Sequence, residues 1–422
     1  MHGSIEARDA TDIPVATDDM MQDAGAAAAH DAATAHDVGN AALAFFCPDV
    51  TDASTLKRVQ QFIDFGYSVT VFGFRRERYN TDYQPPWPNV PLGFTTDLKY
   101  WHRLRALLHA VPALFANRRT LARASIFYAR NIDQLVLALL GRLIAFSRAP
   151  IAYEVLDIPA ILMRRGFLPT FLRAIERFCL RRVSLLVLSS PGFHRNYFSA
   201  VQKYAGDWFL LENKLYPSPS RSRSAAIRPS GVGRGPWVVG YYGLIRGEAT
   251  VDLIARLAHR LKDRVIFKFG GVFTTVEQAK FETVLRRFPN VDYSGPYLPQ
   301  QDLERLYGNV DFAWALDLEH TDHNSRWLMP CRFYEAGYYG VPCLAVHRFE
   351  VGNVIEKHRI GWTFDAPLEE SLVRFFERLT EEDYELIRTR LAAVPSSMFV
   401  AREDVAELCE KLARFRPGSR PD

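Results

Sequence analysis

The sequence predicts an α/β protein of two Rossmann-like, doubly wound domains facing a central cleft, and three observations predict it. From Ala41 onward, short apolar, β-branched or aromatic runs alternate with amphipathic segments of helical length. The alternation stops at YPSPSRSRSAAIRPSGVGRGP, residues 216–236, and then resumes. The 422 residues leave room for two such domains of about 100 to 200 residues each.

Residues 1–40 contain eleven Ala, seven Asp and Glu6 against the single base Arg8, and few large apolar side chains. Such a segment cannot bury enough surface to offset its ordering entropy, so a disordered acidic tail is expected there. The first domain is expected over 41–215. Ala41–Phe46 and Ser68–Phe74 are continuous apolar runs of strand length, with an amphipathic helix between them from Ser54 to Phe65. A helix from Leu98 to Phe115 precedes strand Ile126–Ala129 and a helix from Ile132. Strand Ile151–Val155, helix Pro169–Arg182 and strands Ser184–Leu188 and Trp208–Leu211 complete the half. Strands separated by helices imply parallel βαβ units.

Residues 216–236 read as a linker, because Pro, Ser and Gly dominate them. The second domain, 237–395, repeats the pattern. Strands Trp237–Tyr242, Val265–Phe269, Val291–Tyr293, Val310–Ala315 and Cys343–Val346 alternate with helices Val251–Leu261, Val276–Phe288, Gln300–Tyr307 and Cys331–Tyr339. The chain is expected to turn helical again from Glu369, with a last helix in 396–422 packed back on the first domain. Ligands of such folds bind beyond the C-terminal ends of the strands.

Composition narrows the function. With 48% apolar and 24% charged residues the chain is an ordinary globular protein, not a coiled coil or a disordered chain. The net charge of +4 hides opposites. The tail carries −7, whereas residues 98–182 hold fourteen Arg and Lys99 against Asp133, Glu154, Asp157 and Glu176, a balance of +11. The five cysteines are odd in number and scattered, which supports neither a disulfide framework nor a CxxC metal site. The N-terminus has no basic start and apolar centre of a secretory signal, and Ile132–Phe146 is too short for the ~20 residues of a span. A cytoplasmic chain is expected.

Two segments carry the chemistry. The strand VVGYYG ends in Gly243, followed by Arg246 ahead of a helix. A glycine there lets backbone amides approach a phosphate and Arg246 can add a charged contact, although a tight turn with a solvated Arg satisfies the same residues. The GxGxxG dinucleotide fingerprint is absent. In NSRWLMPCRFYEAGYYGVP, residues 324–342, Pro330 opens a helix, Arg332 falls in its first turn and Glu335 lies three residues on, on the same face. An Arg beside free helix amides suits a diphosphate, and a carboxylate one turn deeper can accept from two ribose hydroxyls. A surface ion pair is the plainer alternative.

Together, GYYG after a strand, VDYSGPYLPQQDLERLY, and P-x-R-x-Y-E-A-G-x-x-G-V-P resemble the nucleotide-binding half of GT-B glycosyltransferases, above all bacterial exopolysaccharide enzymes of the succinoglycan type. The resemblance is good over 237–365 and mainly architectural over 41–215. It implies transfer of a hexose, glucose by preference, from a UDP-sugar. It places the donor ribose on Glu335, the diphosphate by Gly243 and Arg246, and the base near Tyr297. Many retaining members carry two glutamates eight positions apart, but the position eight before Glu335 is Trp327. That departure, with the likeness to enzymes that form β linkages, points to inversion.

Inversion needs a base at the acceptor hydroxyl, opposite the leaving diphosphate. Asp157, just beyond strand Ile151–Val155, is the first candidate and Glu154 the second; a turn cap before Pro159 is the plainer role for Asp157. His102 and His109 are further candidates within an Arg-rich helix. Asp317-Leu-Glu319 is the nearest arrangement to a DxD motif; it reads as a polar cleft loop, and no essential metal or cofactor is expected.

The Arg-rich amphipathic stretches 98–123 and 161–182 suit an anionic membrane face, which predicts a peripheral protein on the inner side of the cell membrane. They suit an acceptor carried on a polyprenyl diphosphate, and no module for nucleic acid is recognisable. A catalytically silent partner subunit and a sugar-nucleotide epimerase on the same fold are the alternatives.

Overall fold

The computed structural model describes residues 41–76, 84–95, 100–216 and 235–415. The expected acidic tail and residues 217–234 of the expected linker lie outside them. The chain divides into two compact units, residues 1–152 with 409–422, and residues 153–408.

Seven strands, β1 (Ala42–Cys47), β2 (Ser68–Arg75), β3 (Asn89–Phe94), β4 (Ile126–Arg130), β5 (Ile151–Val155), β6 (Leu185–Leu188) and β7 (Trp208–Leu210), form one sheet in the order β3-β2-β1-β4-β5-β6-β7. Six more, β8 (Trp237–Ile245), β9 (Val265–Phe273), β10 (Val291–Tyr293), β11 (Phe312–Trp314), β12 (Cys343–Val346) and β13 (Gly361–Phe364), form a second sheet in the order β10-β9-β8-β11-β12-β13, with every pair parallel. Both orders reverse direction beside their first strand, between β1 and β4 and between β8 and β11, which is the doubly wound arrangement.

β3 and β13 escape the sequence reading for one reason. They are edge strands of NVPLGF and GWTF, whose half-exposed positions carry no continuous apolar run, and Pro91 is tolerated at an edge where its missing N–H costs no ladder bond.

In unit 1 the first helix, Ala53–Asp64, begins where Asp52, in extended backbone, accepts from the Thr55 amide at 3.2 Å. It turns Val59 and Phe62 inward, and Phe62 meets the Tyr128 ring edge-on at a centroid distance of 4.8 Å. The last residues of the chain belong to the same unit, where Tyr67 Oη donates to the Cys409 carbonyl.

In unit 2 the strand alternation sorts side chains into two cores, one on each face of the second sheet. Val238, Tyr242, Ala313 and Ala315 point to a core shared with helix Cys331–Tyr338 and Phe399. Val239, Tyr241, Phe312 and Trp314 point to the other, covered by helices Glu248–Arg260, Gln278–Arg287 and Leu368–Arg378. Helix Cys331–Tyr338 stops at Gly340, whose φ of +72° suits glycine, and the Val341 amide returns to the Ala336 carbonyl at 2.9 Å.

Candidate active site

The reversal of strand order between β8 and β11 brings two loop ends together in unit 2. β8 closes on Gly243 and Ile245, then Arg246 and Gly247 lead into helix Glu248–Arg260. The ends of β8 and β9 touch: a Cβ on Gly271 would lie 1.8 Å from the Gly243 carbonyl oxygen, so only glycine fits, and Gly271 has φ of +131°. Gly243, at φ +120°, has open space where its Cβ would be, as a backbone that meets a ligand requires.

From β11 comes Asp317. Arg246 donates to its Oδ2 from Nε at 3.0 Å and from Nη2 at 2.5 Å, and reaches Glu319 at 3.6 Å. Ser325 Oγ donates to the other oxygen of Asp317 at 2.7 Å. Burial alone would raise the Asp317 carboxyl, but Arg246 and then Ser325 outweigh it and hold it below the usual carboxylate range. Asp317-Leu-Glu319 is therefore the anionic cradle of Arg246. Among the described residues no cluster of His, Cys, Asp and Glu has the arrangement of a metal site.

Arg332 is buried, with its guanidinium 4.1 Å above the Tyr241 ring and Nη1 donating to the Trp314 carbonyl at the end of β11. The Tyr241 hydroxyl in turn accepts from the Arg246 amide at 3.4 Å. The Arg332 side chain and the Arg246 backbone thus meet the same Tyr241 side chain, and the surface i, i+3 ion pair of Arg332 with Glu335 is replaced by this inward geometry.

Glu335 is half-buried and accepts from Tyr307 Oη at 3.1 Å. Tyr297 is half-buried beside it, edge-on to Tyr242 at 6.3 Å. Burial, and then the nearby Glu335 charge, push the Tyr297 and Tyr307 hydroxyls well above the ordinary tyrosine value, so both stay protonated donors. Gly243, Arg246, Tyr297, Arg332 and Glu335 all belong to this unit, with Arg332 stacked on Tyr241 and the Arg246 side chain on Asp317 at the β8–β11 switch.

Asp157 follows β5 and is solvent-accessible. The protein crowding its carboxylate displaces enough water to raise its pKa; Arg246 and Asn324 oppose the rise, while Asp317 and Glu319 add to it. Asn324 Nδ2 donates to Asp157 Oδ1 at 2.9 Å, and Asn324 Oδ1 accepts from the Ile158 amide at 3.0 Å. Glu154, one strand position inside, is 1% exposed. His109 is exposed on helix Tyr100–Ala116, and the His102 side chain lies outside the described residues.

Sequence reasoning missed Asn324, Ser325, Tyr241 and Tyr307. Asn324 meets a residue 167 positions away, and no local pattern announces such a pair.

No family model matches the chain. It is 28% identical over 374 residues to the succinoglycan biosynthesis protein ExoL of Rhizobium meliloti (strain 1021), covering 87% of this chain and 92% of that protein. Among solved structures, sucrose-phosphate synthase from Thermosynechococcus elongatus superposes with a TM-score of 0.66 at 13% identity, over 89% of this chain and 98% of that one. Anabaena Alr3699/HepE, solved in complex with UDP, gives 0.63 at 16% identity over 88% and 99%. WaaG, a glycosyltransferase involved in lipopolysaccharide biosynthesis, gives 0.58 at 13% identity over 89% and 100%. In fold the chain is similar to these GT-B structures, and in sequence it is similar to a succinoglycan biosynthesis protein.

Proposed function

We propose that the protein transfers a hexose, glucose by preference, from its UDP donor to a lipid-linked oligosaccharide in exopolysaccharide assembly, with inversion at the anomeric carbon. The observation that carries this reading is that, where the strand order of the second sheet reverses, the Arg332 guanidinium is held over the Tyr241 ring and the Arg246 guanidinium is held on Asp317. Two fixed cations there suit a diphosphate. Glu335 accepts from the ribose hydroxyls, and the Tyr297 ring borders the base. A complex with UDP in HepE and succinoglycan biosynthesis in ExoL support the donor and the pathway.

The reaction follows from these positions. The Asp157 carboxylate takes the proton of the acceptor hydroxyl as its oxygen bonds to the anomeric carbon. The bond from that carbon to the diphosphate breaks on the opposite face, and its electron pair leaves with UDP. Arg246 exchanges part of its bond to Asp317 for the departing phosphate, so its charge is positioned before the substrate arrives. In this reading the arginines do the work of a metal ion.

An acceptor on a polyprenyl diphosphate calls for a membrane surface. On helix Phe167–Leu180 the Phe167 and Phe171 rings stack at 6.4 Å and are 87% and 53% exposed, and Leu168 and Phe178 are exposed beside them. Arg173 and Arg177 are tied to backbone carbonyls, which leaves exposed Arg164, Arg165 and Arg181 to face lipid head groups. Among the described residues no helix is long and apolar enough to cross a membrane. We therefore place the protein peripherally, on the cytoplasmic face of the cell membrane.

Replacing Asp157 by Asn tests the chemistry. Transfer of labelled glucose from UDP-glucose to a lipid-linked acceptor fraction should fall by at least about a hundredfold, the range of one general base, while UDP binding persists. Near-normal turnover would move the base elsewhere, and an α-linked product by NMR would overturn inversion.

A further inference from the structure

Eight positions before Glu335 stands Trp327, in the single helical turn Asn324–Trp327. The turn supplies no acid of its own; each of three of its residues instead holds another part of the site. Asn324 clips Asp157 and the Ile158 amide, Ser325 fixes the partner of Arg246, and the Trp327 carbonyl accepts from Ser190 Oγ. Gly192 keeps that approach close, because a Cβ there would lie 2.8 Å from the Trp327 oxygen.

We propose that Asn324 is a positioning residue for transfer: its amide fixes which oxygen of Asp157 receives the acceptor proton. The inference rests on Asp157 being the base. The Asn324 side chain is 6% exposed and spends both its functional ends on the Asp157 loop, the NH2 on Oδ1 and the oxygen on the next backbone amide. A carboxylate on a surface loop samples several rotamers; bound at Oδ1, it presents Oδ2 in one direction. The other charged groups facing Asp157 are Arg246 from the β8 end and Asp317 and Glu319 from the β11 end, so Asn324 is the neutral partner among them. A neutral donor orients the base without neutralising it, whereas a cation in its place would depress basicity further.

The test compares full-length wild type, Asn324→Asp and Asn324→Ala for kcat against pH, following UDP release from UDP-glucose with a polyprenyl-diphosphate-linked sugar as acceptor. Asn324→Asp keeps the acceptor for the Ile158 amide but sets a second carboxyl against Asp157. The acidic limb should move up by about one pH unit, because two facing carboxyls do not ionise independently. Asn324→Ala should lower kcat roughly tenfold, with UDP affinity by calorimetry within about twofold of wild type, a loss of positioning without a loss of donor binding. An unmoved limb in Asn324→Asp and unchanged kcat in Asn324→Ala, with Asp157→Asn inactive, would overturn the inference and leave the base assignment standing. An active Asp157→Asn would overturn both, and calorimetry reveals whether either variant has lost its fold.

Discussion

At the scale of single residues the site is built from charges that are already paired before any substrate enters. Arg246 rests on Asp317, Arg332 on an aromatic ring and a carbonyl, and Glu335 on a tyrosine hydroxyl. Each arrangement fixes a side chain that would otherwise lose rotamer entropy on binding, which favours a preformed donor site. Asp157 differs, because its carboxyl is pushed upward by its surroundings. The base form therefore fills only above a pKa higher than the ~3.9 of a free aspartate, and activity should fail on the acid side earlier than a free carboxylate would allow. The same shift has a defined sign in stability. The native state holds this proton to higher pH than the unfolded chain, so the Asp157 contribution to stability falls as pH rises from the unfolded to the native pKa. The positions of Arg246, Arg332 and Asp157 were legible in the sequence because each stands just past a strand end or in the first turn of a helix, and that of Glu335 because it lies one turn further on the same helix face. Asn324 was not, since nothing in its neighbours records that it holds a loop 167 positions away, and no pattern marks Ser325 as the partner of Asp317.

At the scale of elements, helix Cys331–Tyr338 shows how packing sets the position of Glu335. It is eight residues long, too short to be stable alone, and its position depends on Phe333, Ala336 and Gly337 packing into the core around Phe399. A Cβ on Gly337 would lie 2.2 Å from the Phe399 ring, which is fully buried. Alanine normally gains about 1 kcal/mol over glycine inside a helix, but overpacking a core costs about 1–3 kcal/mol. The clash should win, so Gly337→Ala is expected to unfold at lower denaturant concentration and to weaken UDP binding by shifting Glu335. A midpoint equal to or above wild type would show that this helix is not pinned by Phe399. The alternation of strands and helices made most elements legible, with boundaries off by a few residues. It failed at β3 and β13, where edge exposure removes the apolar run, and at helix Glu350–His358, which follows β12 after only three residues.

At the scale of the whole molecule, charge separates the parts that composition alone averages to +4. Exposed Arg118, Arg119 and Arg123 lie in the first unit, and Arg164, Arg165 and Arg181 beside bare phenylalanines in the second. Basic and aromatic surfaces of this kind bind anionic lipid in proportion to apolar insertion and lose affinity with salt. Vesicles containing phosphatidylglycerol should therefore retain the protein at low salt, and Phe167→Ser with Phe171→Ser should release most of it, while vesicles of phosphatidylcholine alone should retain little in either case. Equal retention of the double variant would mean that these rings meet something other than a membrane.

The central claim is that the β8–β11 switch of the second sheet holds a UDP-sugar through Glu335 and the two arginines. Calorimetric titration of UDP into wild type and into Glu335→Ala tests it most directly. Saturable binding to wild type is expected, with an affinity at least about tenfold weaker in the variant, from loss of a charge-assisted contact to the ribose. Undiminished affinity in Glu335→Ala, or no binding of UDP to wild type, would contradict it.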